Sequence, residues 1–165
     1  MDEHSLTLTQ QKYLRDLLEK THMSDSNPCS NPMCTSATLS KLDSDPFEHV
    51  SLYRSTVGSL QYLTMTRPDI AFTVNRLSQY LQAPTVKHWA ACKRQLRYLA
   101  GTQRQGLRFT PAHTLALTAF SNADYASNLD DRRSTSGVCV YLGPNLIAWS
   151  AKKQEVVSRS STEAE

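Results

Sequence analysis

Apolar residues recur at helical spacing through the first hundred positions and at strand spacing after them. Leu6 and Leu8 alternate with threonines, which predicts a short strand. Thr9 offers a side-chain oxygen as the N-cap of a helix running to about Thr21. Tyr13, Leu14, Leu17 and Leu18 share one face of that helix. From Ser24 to Pro46 the chain is rich in Ser, Asn, Asp and Pro and loses its period, so it reads as a loop. The helical pattern resumes from about Leu52 to Met65 through Val57, Leu60 and Leu63. Pro68 disfavours helix at Arg67 and suits the first turn of the next helix. That helix is predicted from about Asp69 to Leu81, burying Ile70, either Phe72 or Val74, Leu77 and Tyr80. The next is the best defined, with Thr85 as N-cap and Gly101 as the residue just past its end. At about 100° per residue, Trp89, Cys92, Leu96 and Leu99 share one arc. Lys87, Lys93, Arg94 and Arg97 fall largely outside it.

After Gly101 the period shortens. Residues 106–110 and 115–122 read as strands, and 127–136 as a polar, solvated turn. Val138, Val140 and Leu142 alternate with Cys139 and Tyr141, which predicts a half-buried strand. Gly143-Pro144-Asn145 forms a turn into a partner strand, 146–150. Ser158 to Thr162 supply caps for a helix starting near Thr162. The fold class is α+β: about four helices, then a small antiparallel sheet ending in a helix start. The expectation for that ending is a cut domain.

Charge changes the picture more than composition does. Eighteen basic residues against fifteen acidic ones give a net charge of only +3 in 165 residues. Yet no Asp or Glu occurs from Ile70 to Ala123, a stretch that carries Arg76, Lys87, Lys93, Arg94, Arg97, Arg104 and Arg108. A one-sign segment attracts polyanions. No apolar run approaches the ~18 residues of a membrane span. The acidic start, Met1-Asp2-Glu3-His4, is unlike a secretory signal, so an intracellular site, cytoplasmic or nuclear, is expected with its cysteines reduced. Cys29 and Cys34 lack zinc-ligand spacing. His88, beside the basic arc, reads as a surface residue, while Trp89 and Trp149 read as core.

Three segments carry chemistry. One is Tyr53-Arg54-Ser55-Thr56-Val57-Gly58-Ser59-Leu60-Gln61-Tyr62-Leu63, leading to Thr66-Arg67-Pro68-Asp69-Ile70. The second is Ser121-Asn122-Ala123-Asp124-Tyr125-Ala126, leading to Asp131-Arg132-Arg133-Ser134-Thr135-Ser136-Gly137. The third is Ser158-Arg159-Ser160-Ser161-Thr162-Glu163-Ala164-Glu165. Together they resemble the Pol polyprotein of copia-type LTR retrotransposons over nearly the whole chain. The resemblance implies that residues 1–104 are the C-terminal, thumb- and connection-like segment of a reverse transcriptase. It implies that 105–165 are the front half of a ribonuclease H domain, truncated.

The parent family's activities are reverse transcription and RNA–DNA hybrid cleavage, with Mg²⁺ as cofactor and the hybrid as partner. A ribonuclease H site gathers several carboxylates because hard Mg²⁺ demands oxygen ligands. The family's first metal-binding Asp falls on Asn122, an amide without charge. The resemblance leaves Asp124 and Glu165 as a degenerate catalytic and metal-binding pair. Glu165 matches its context better than Glu163 does. The family's Tyr-Val-Asp-Asp polymerase signature is absent from the chain. The expectation is a catalytically silent Pol fragment that binds no Mg²⁺ itself. It would contact nucleic acid through Lys87, Lys93, Arg94 and Arg97. Two alternatives stay open at this point: a Mg²⁺-dependent ribonuclease H completed by a partner or downstream chain, and a non-catalytic nucleic-acid-binding module. No membrane partner is expected.

Overall fold

The computed structural model describes residues 5–34 and 39–165. The chain divides into two units. One is Gln10–Gln105, and the other joins the segment ending at Thr9 to Gly106–Glu165. Among the described residues no helix is long and apolar enough to cross a membrane.

The helical unit holds α1 (Gln11–Lys20), α2 (Val50–Leu63), α3 (Ala71–Ser78) and α4 (Val86–Gly101). Its core collects the positions that the apolar period marks: Leu14, Leu17 and Leu18 of α1, Val57, Leu60 and Leu63 of α2, and Cys92, Leu96 and Leu99 of α4. Each such side chain contributes about 1.5–3 kcal/mol by leaving water. Of the two alternatives on α3, Val74 turns inward and Phe72 stays 45% exposed. Two buried tyrosines direct their hydroxyls to backbone carbonyls: Tyr53 donates to Leu77 O and Tyr80 to Leu39 O, both at 2.8 Å. Leu39, inside the expected loop, is itself a core residue at 3% exposure.

Four local expectations change. Gln10, not Thr9, precedes α1, and no side chain caps it. The predicted Asp69–Leu81 helix opens as a 3-10 turn, Pro68–Ile70, before α3. Gly101 is the last residue of α4 rather than a left-handed residue beyond it. Its lack of a side chain serves a close approach instead, since a Cβ there would lie 2.9 Å from Pro28 Cβ. The fourth change is His88, which is fully buried. Thr85 Oγ1 accepts from the His88 backbone N–H, and His88 Nδ1 accepts from the Thr85 N–H at 2.9 Å, a reciprocal N-cap. The imidazole also stacks on Tyr80 with ring centroids 3.8 Å apart.

The sharp turn between α2 and α3 is held by Arg67, which is 3% exposed. Its Nε and Nη2 donate to the two oxygens of Asp69 at 2.9 and 2.7 Å. Nη1 donates to Thr102 O at 3.0 Å and Nη2 to Thr102 Oγ1 at 2.7 Å. Tyr98 donates its hydroxyl to Asp69 at 2.8 Å. The turn is thereby tied to the carboxyl end of α4.

In the sheet unit, β1 (Leu6–Leu8) pairs antiparallel with β2 (Leu107–Phe109). Gly106 permits this approach, because a Cβ there would collide with Leu8 O. A separate antiparallel meander runs β3 (Leu117–Ala123), β4 (Thr135–Leu142), β5 (Asn145–Lys153). The strands form where the pattern predicts, but their burial does not alternate: β3 is exposed up to Asn122, β4 is half-buried from Ser136 to Leu142, and a bulge lies between Val140 and Tyr141. Asn145 joins β5 to the end of β2. Its amide donates to Thr110 O at 2.9 Å, and its carbonyl accepts from Thr110 N at 2.8 Å. A final turn of helix, α5 (Ser161–Ala164), is capped by Ser160.

Two outcomes test the helical unit. Arg67→Ala leaves Asp69 without its cation and should cost about 3–5 kcal/mol in urea unfolding. Burial pushes the Asp69 carboxyl up, but the Arg67 guanidinium and the Tyr98 hydroxyl outweigh it and hold it below the usual carboxylate range. A carboxylate lowered in this way stabilises the fold above its unfolded value, near 4, and loses that contribution as pH falls through the native value. Wild type should therefore lose stability below about pH 4 more steeply than Asp69→Asn. His88→Ala, which removes both the cap acceptor and the Tyr80 stack, should cost about 2–4 kcal/mol in the same assay.

Candidate nucleic-acid interface and degenerate metal site

Each unit carries one candidate region. In the sheet unit the relevant residues lie where β3 ends. Asn122 is exposed and pairs with Gly137, and Ala123 pairs with Ser136. Asp124 follows the strand, and both of its oxygens are engaged. Oδ1 accepts from Thr135 N at 2.8 Å, and Oδ2 accepts from Ser127 Oγ at 2.6 Å. The carboxylate thus closes the base of the loop between β3 and β4.

That loop is not the solvated turn that its composition suggests. Asn128 is 1% exposed, Ser134 fully buried and Ala126 8% exposed. Asn128 Oδ1 accepts from the backbone of Asp130 at 2.9 Å and of Asp131 at 3.2 Å. Ser134 Oγ accepts from Ala126 N at 3.1 Å. Asp131 pairs with Lys153 and lies 3.7 Å from Arg133. Burial works to raise the Asp131 carboxyl, but the Lys153 ammonium and the Arg133 N–H keep it below the usual range.

One side chain joins this strand end to α5. Gln154 Nε2 donates to Ser136 Oγ at 2.8 Å and to Ala164 O at 2.6 Å. The residue before Glu165 is thereby bound to the strand position that faces Ala123. Glu165 itself is exposed. Glu163 turns back instead, accepting from Arg159 N at 2.8 Å, and so braces the start of α5. Glu163 and Glu165, two residues apart at about 100° each, lie on opposite sides of a helix.

A two-Mg²⁺ centre needs several charged oxygens free to coordinate. Here Asn122 brings no charge, and both Asp124 oxygens are committed to the loop. Among the described residues no group of three His, Cys, Asp or Glu side chains is placed to hold a metal. The residues present do not fit such a centre.

In the helical unit, the four basic residues of α4 divide into two pairs. Lys87 and Lys93 are exposed. Arg94 and Arg97 are half-buried. Residues 27–29 account for part of this, because Arg97 Nε donates to Asn27 O at 2.6 Å and Cys29 Sγ to Arg94 O at 3.4 Å. Arg94 Nε is buried without a hydrogen-bond partner. Helical spacing separates these residues from the apolar stripe, but it carries no sign of the loop that packs on two of them. Trp89 packs against the core and stacks on Phe47 at 5.1 Å. A cavity of about 420 Å³ lies at the carboxyl end of α4, lined by Gln11 and residues 100–105, with no carboxylate among them.

No family model and no solved structure matches the chain. Several curated proteins do. The chain is 51% identical over 160 residues to the retrovirus-related Pol polyprotein from transposon RE2 of Arabidopsis thaliana. It is 37% identical to that from transposon TNT 1-94 of Nicotiana tabacum. Both alignments cover 97% of this chain but only 11% and 12% of those polyproteins, so the chain spans about a tenth of their length. An uncharacterized mitochondrial protein of Arabidopsis thaliana is 43% identical, with 97% of this chain and 66% of that protein aligned. The motifs around Arg67, Asp124 and Glu163, and the near-complete alignment with several transposon proteins, lead to one family. The chain belongs to the retrovirus-related Pol polyproteins of copia-type transposons.

Proposed function

We propose that this segment of Pol is a nucleic-acid-contacting piece of a reverse transcriptase joined to the front of a ribonuclease H fold, and that it has no catalytic activity of its own. In this reading residues 1–104 are the thumb- and connection-like end of the polymerase. Residues 105–165 begin the ribonuclease H domain, and the parent substrate is an RNA–DNA hybrid.

The observation that carries the reading is the convergence at Gln154. An antiparallel meander of three strands, β3 to β5, delivers Asn122 and Asp124 to one end of the sheet. Gln154 then ties the α5 turn, which precedes Glu165, to that same end. In this reading the end of β3 and the α5 turn are where the parent family's acids would stand. Asn122 lacks the charge, and Asp124 is engaged by Thr135 and Ser127. Nucleic-acid contact rests on Lys87 and Lys93, the two exposed cations of α4. Cations free of internal partners release counterions from phosphates when they bind.

Incubation with a labelled RNA–DNA hybrid and either Mg²⁺ or Mn²⁺ should give no cleavage, and Asn122→Asp alone should not restore it. Cleavage that Asp124→Asn abolishes would replace this reading with a live nuclease. For binding, Lys87→Gln with Lys93→Gln should flatten the log–log salt dependence of hybrid affinity by about 1.8, near 0.9 for each phosphate no longer neutralised. Arg97→Gln, which removes a bond to Asn27, should change that slope less and lower the melting temperature instead.

A further inference from the structure

The loop between β3 and β4 is built more rigidly than a connection requires. Asp124 closes its base with both carboxylate oxygens. Asn128, almost fully buried, holds the turn at 130–131. Main-chain bonds close the tip, from Arg132 N to Asn128 O at 2.8 Å and from Asn128 N to Arg133 O at 3.3 Å. Within this frame two residues with side chains occupy the left-handed region, Ala126 at φ 51° and Arg132 at φ 58°. Ala126 is buried and fixed by Ser134. Arg132 is exposed, at a position where glycine or asparagine would adopt the backbone more easily.

The charges of the loop are also sorted. Asp131 is taken up by Lys153 and Arg133. Asp130 is exposed, and its backbone N–H is held by Asn128 Oδ1. The Arg132 guanidinium has no hydrogen-bond or ion-pair partner among the described residues. A surrounding structure that over-determines a strained backbone, and commits its acid to neighbouring cations, leaves one arginine uncompensated. A planar guanidinium presented in this way suits phosphate oxygens.

We infer that Arg132 is a phosphate-contacting residue of the sheet unit, that Asp124 is the positioning residue which locks its loop, and that the ligand is the phosphodiester backbone of a nucleic acid. This rests on the reading of the chain as a nucleic-acid-contacting piece of Pol. It adds a contact outside the α4 cations and gives Asp124 a role other than metal binding.

The test is fluorescence anisotropy of a short RNA–DNA hybrid with the full chain, titrated between about 50 and 200 mM salt. Arg132→Gln should weaken binding and make the salt slope shallower by about 0.9, one phosphate. Arg132→Lys should restore the slope. Arg132→Gly should relieve the backbone, raising the melting temperature by about 2–4 °C while weakening binding as Arg132→Gln does. Asp124→Asn supplies the sharpest reading. Removing a negative charge should strengthen polyanion binding, whereas an unlocked loop should weaken it. We expect it to weaken several-fold, with faster exchange of the Thr135 amide. If wild type binds and Arg132→Gln keeps the wild-type slope, the Arg132 contact is wrong while the α4 reading survives. If Asp124→Asn binds more tightly, Asp124 does not position the loop. If wild type fails to bind at the lowest salt, both readings fall.

Discussion

A single buried guanidinium holds the helical unit in register. Arg67 sits at the turn between α2 and α3, and Pro68 behind it prevents the helix from continuing through. Placing that charge out of water would be strongly unfavourable if its donors went unmatched. Instead its nitrogens meet Asp69 and both the carbonyl and the hydroxyl of Thr102. Asp69 receives the Tyr98 hydroxyl as well. The start of α3 and the end of α4 are thereby bound through one charge pair. The direction of α4, and with it the side on which Lys87 and Lys93 emerge, depends on that bond set.

The sheet unit uses the same device with the sign reversed. Asp124 is the central acid there, and it too is taken up by local donors. A carboxylate that accepts from a backbone N–H and a hydroxyl is held in one orientation by them. The loop gains order from these two bonds. Two residues earlier, Asn122 brings an uncharged amide to the end of β3.

The basic stretch between Ile70 and Ala123 also serves more than one purpose. Arg76 is a buried residue of α3, and Arg97 fastens the segment around Asn27 to α4. Their charges count in any tally of the sequence but are withdrawn from the surface. The exposed cations of the stretch are Lys87 and Lys93 on α4, Arg104 just after it and Arg108 in the sheet unit, where Arg132, outside the stretch, is exposed as well. A field drawn from the sequence alone therefore overstates what the surface of the helical unit presents.

Hydrophobic period determined the elements. The stripes through Leu14, Leu60 and Leu96, and the alternation through Val138 to Leu142, placed helices and strands close to where they lie, because burial of one face is a local property of spacing. The Ser-Asn-Ala-Asp and Ser-Thr-Glu-Ala-Glu segments were enough to point to the family. Tertiary structure decided what the polar residues do. Whether His88 faces water or stacks on Tyr80, whether Gly101 ends a helix or makes room for Pro28, and whether Asp124 offers its oxygens or commits them to Thr135 all depend on partners distant in the chain or folded back from a neighbouring loop. A hydrogen bond is satisfied by a group at about 3 Å, wherever that group stands in the sequence, and no spacing rule encodes it.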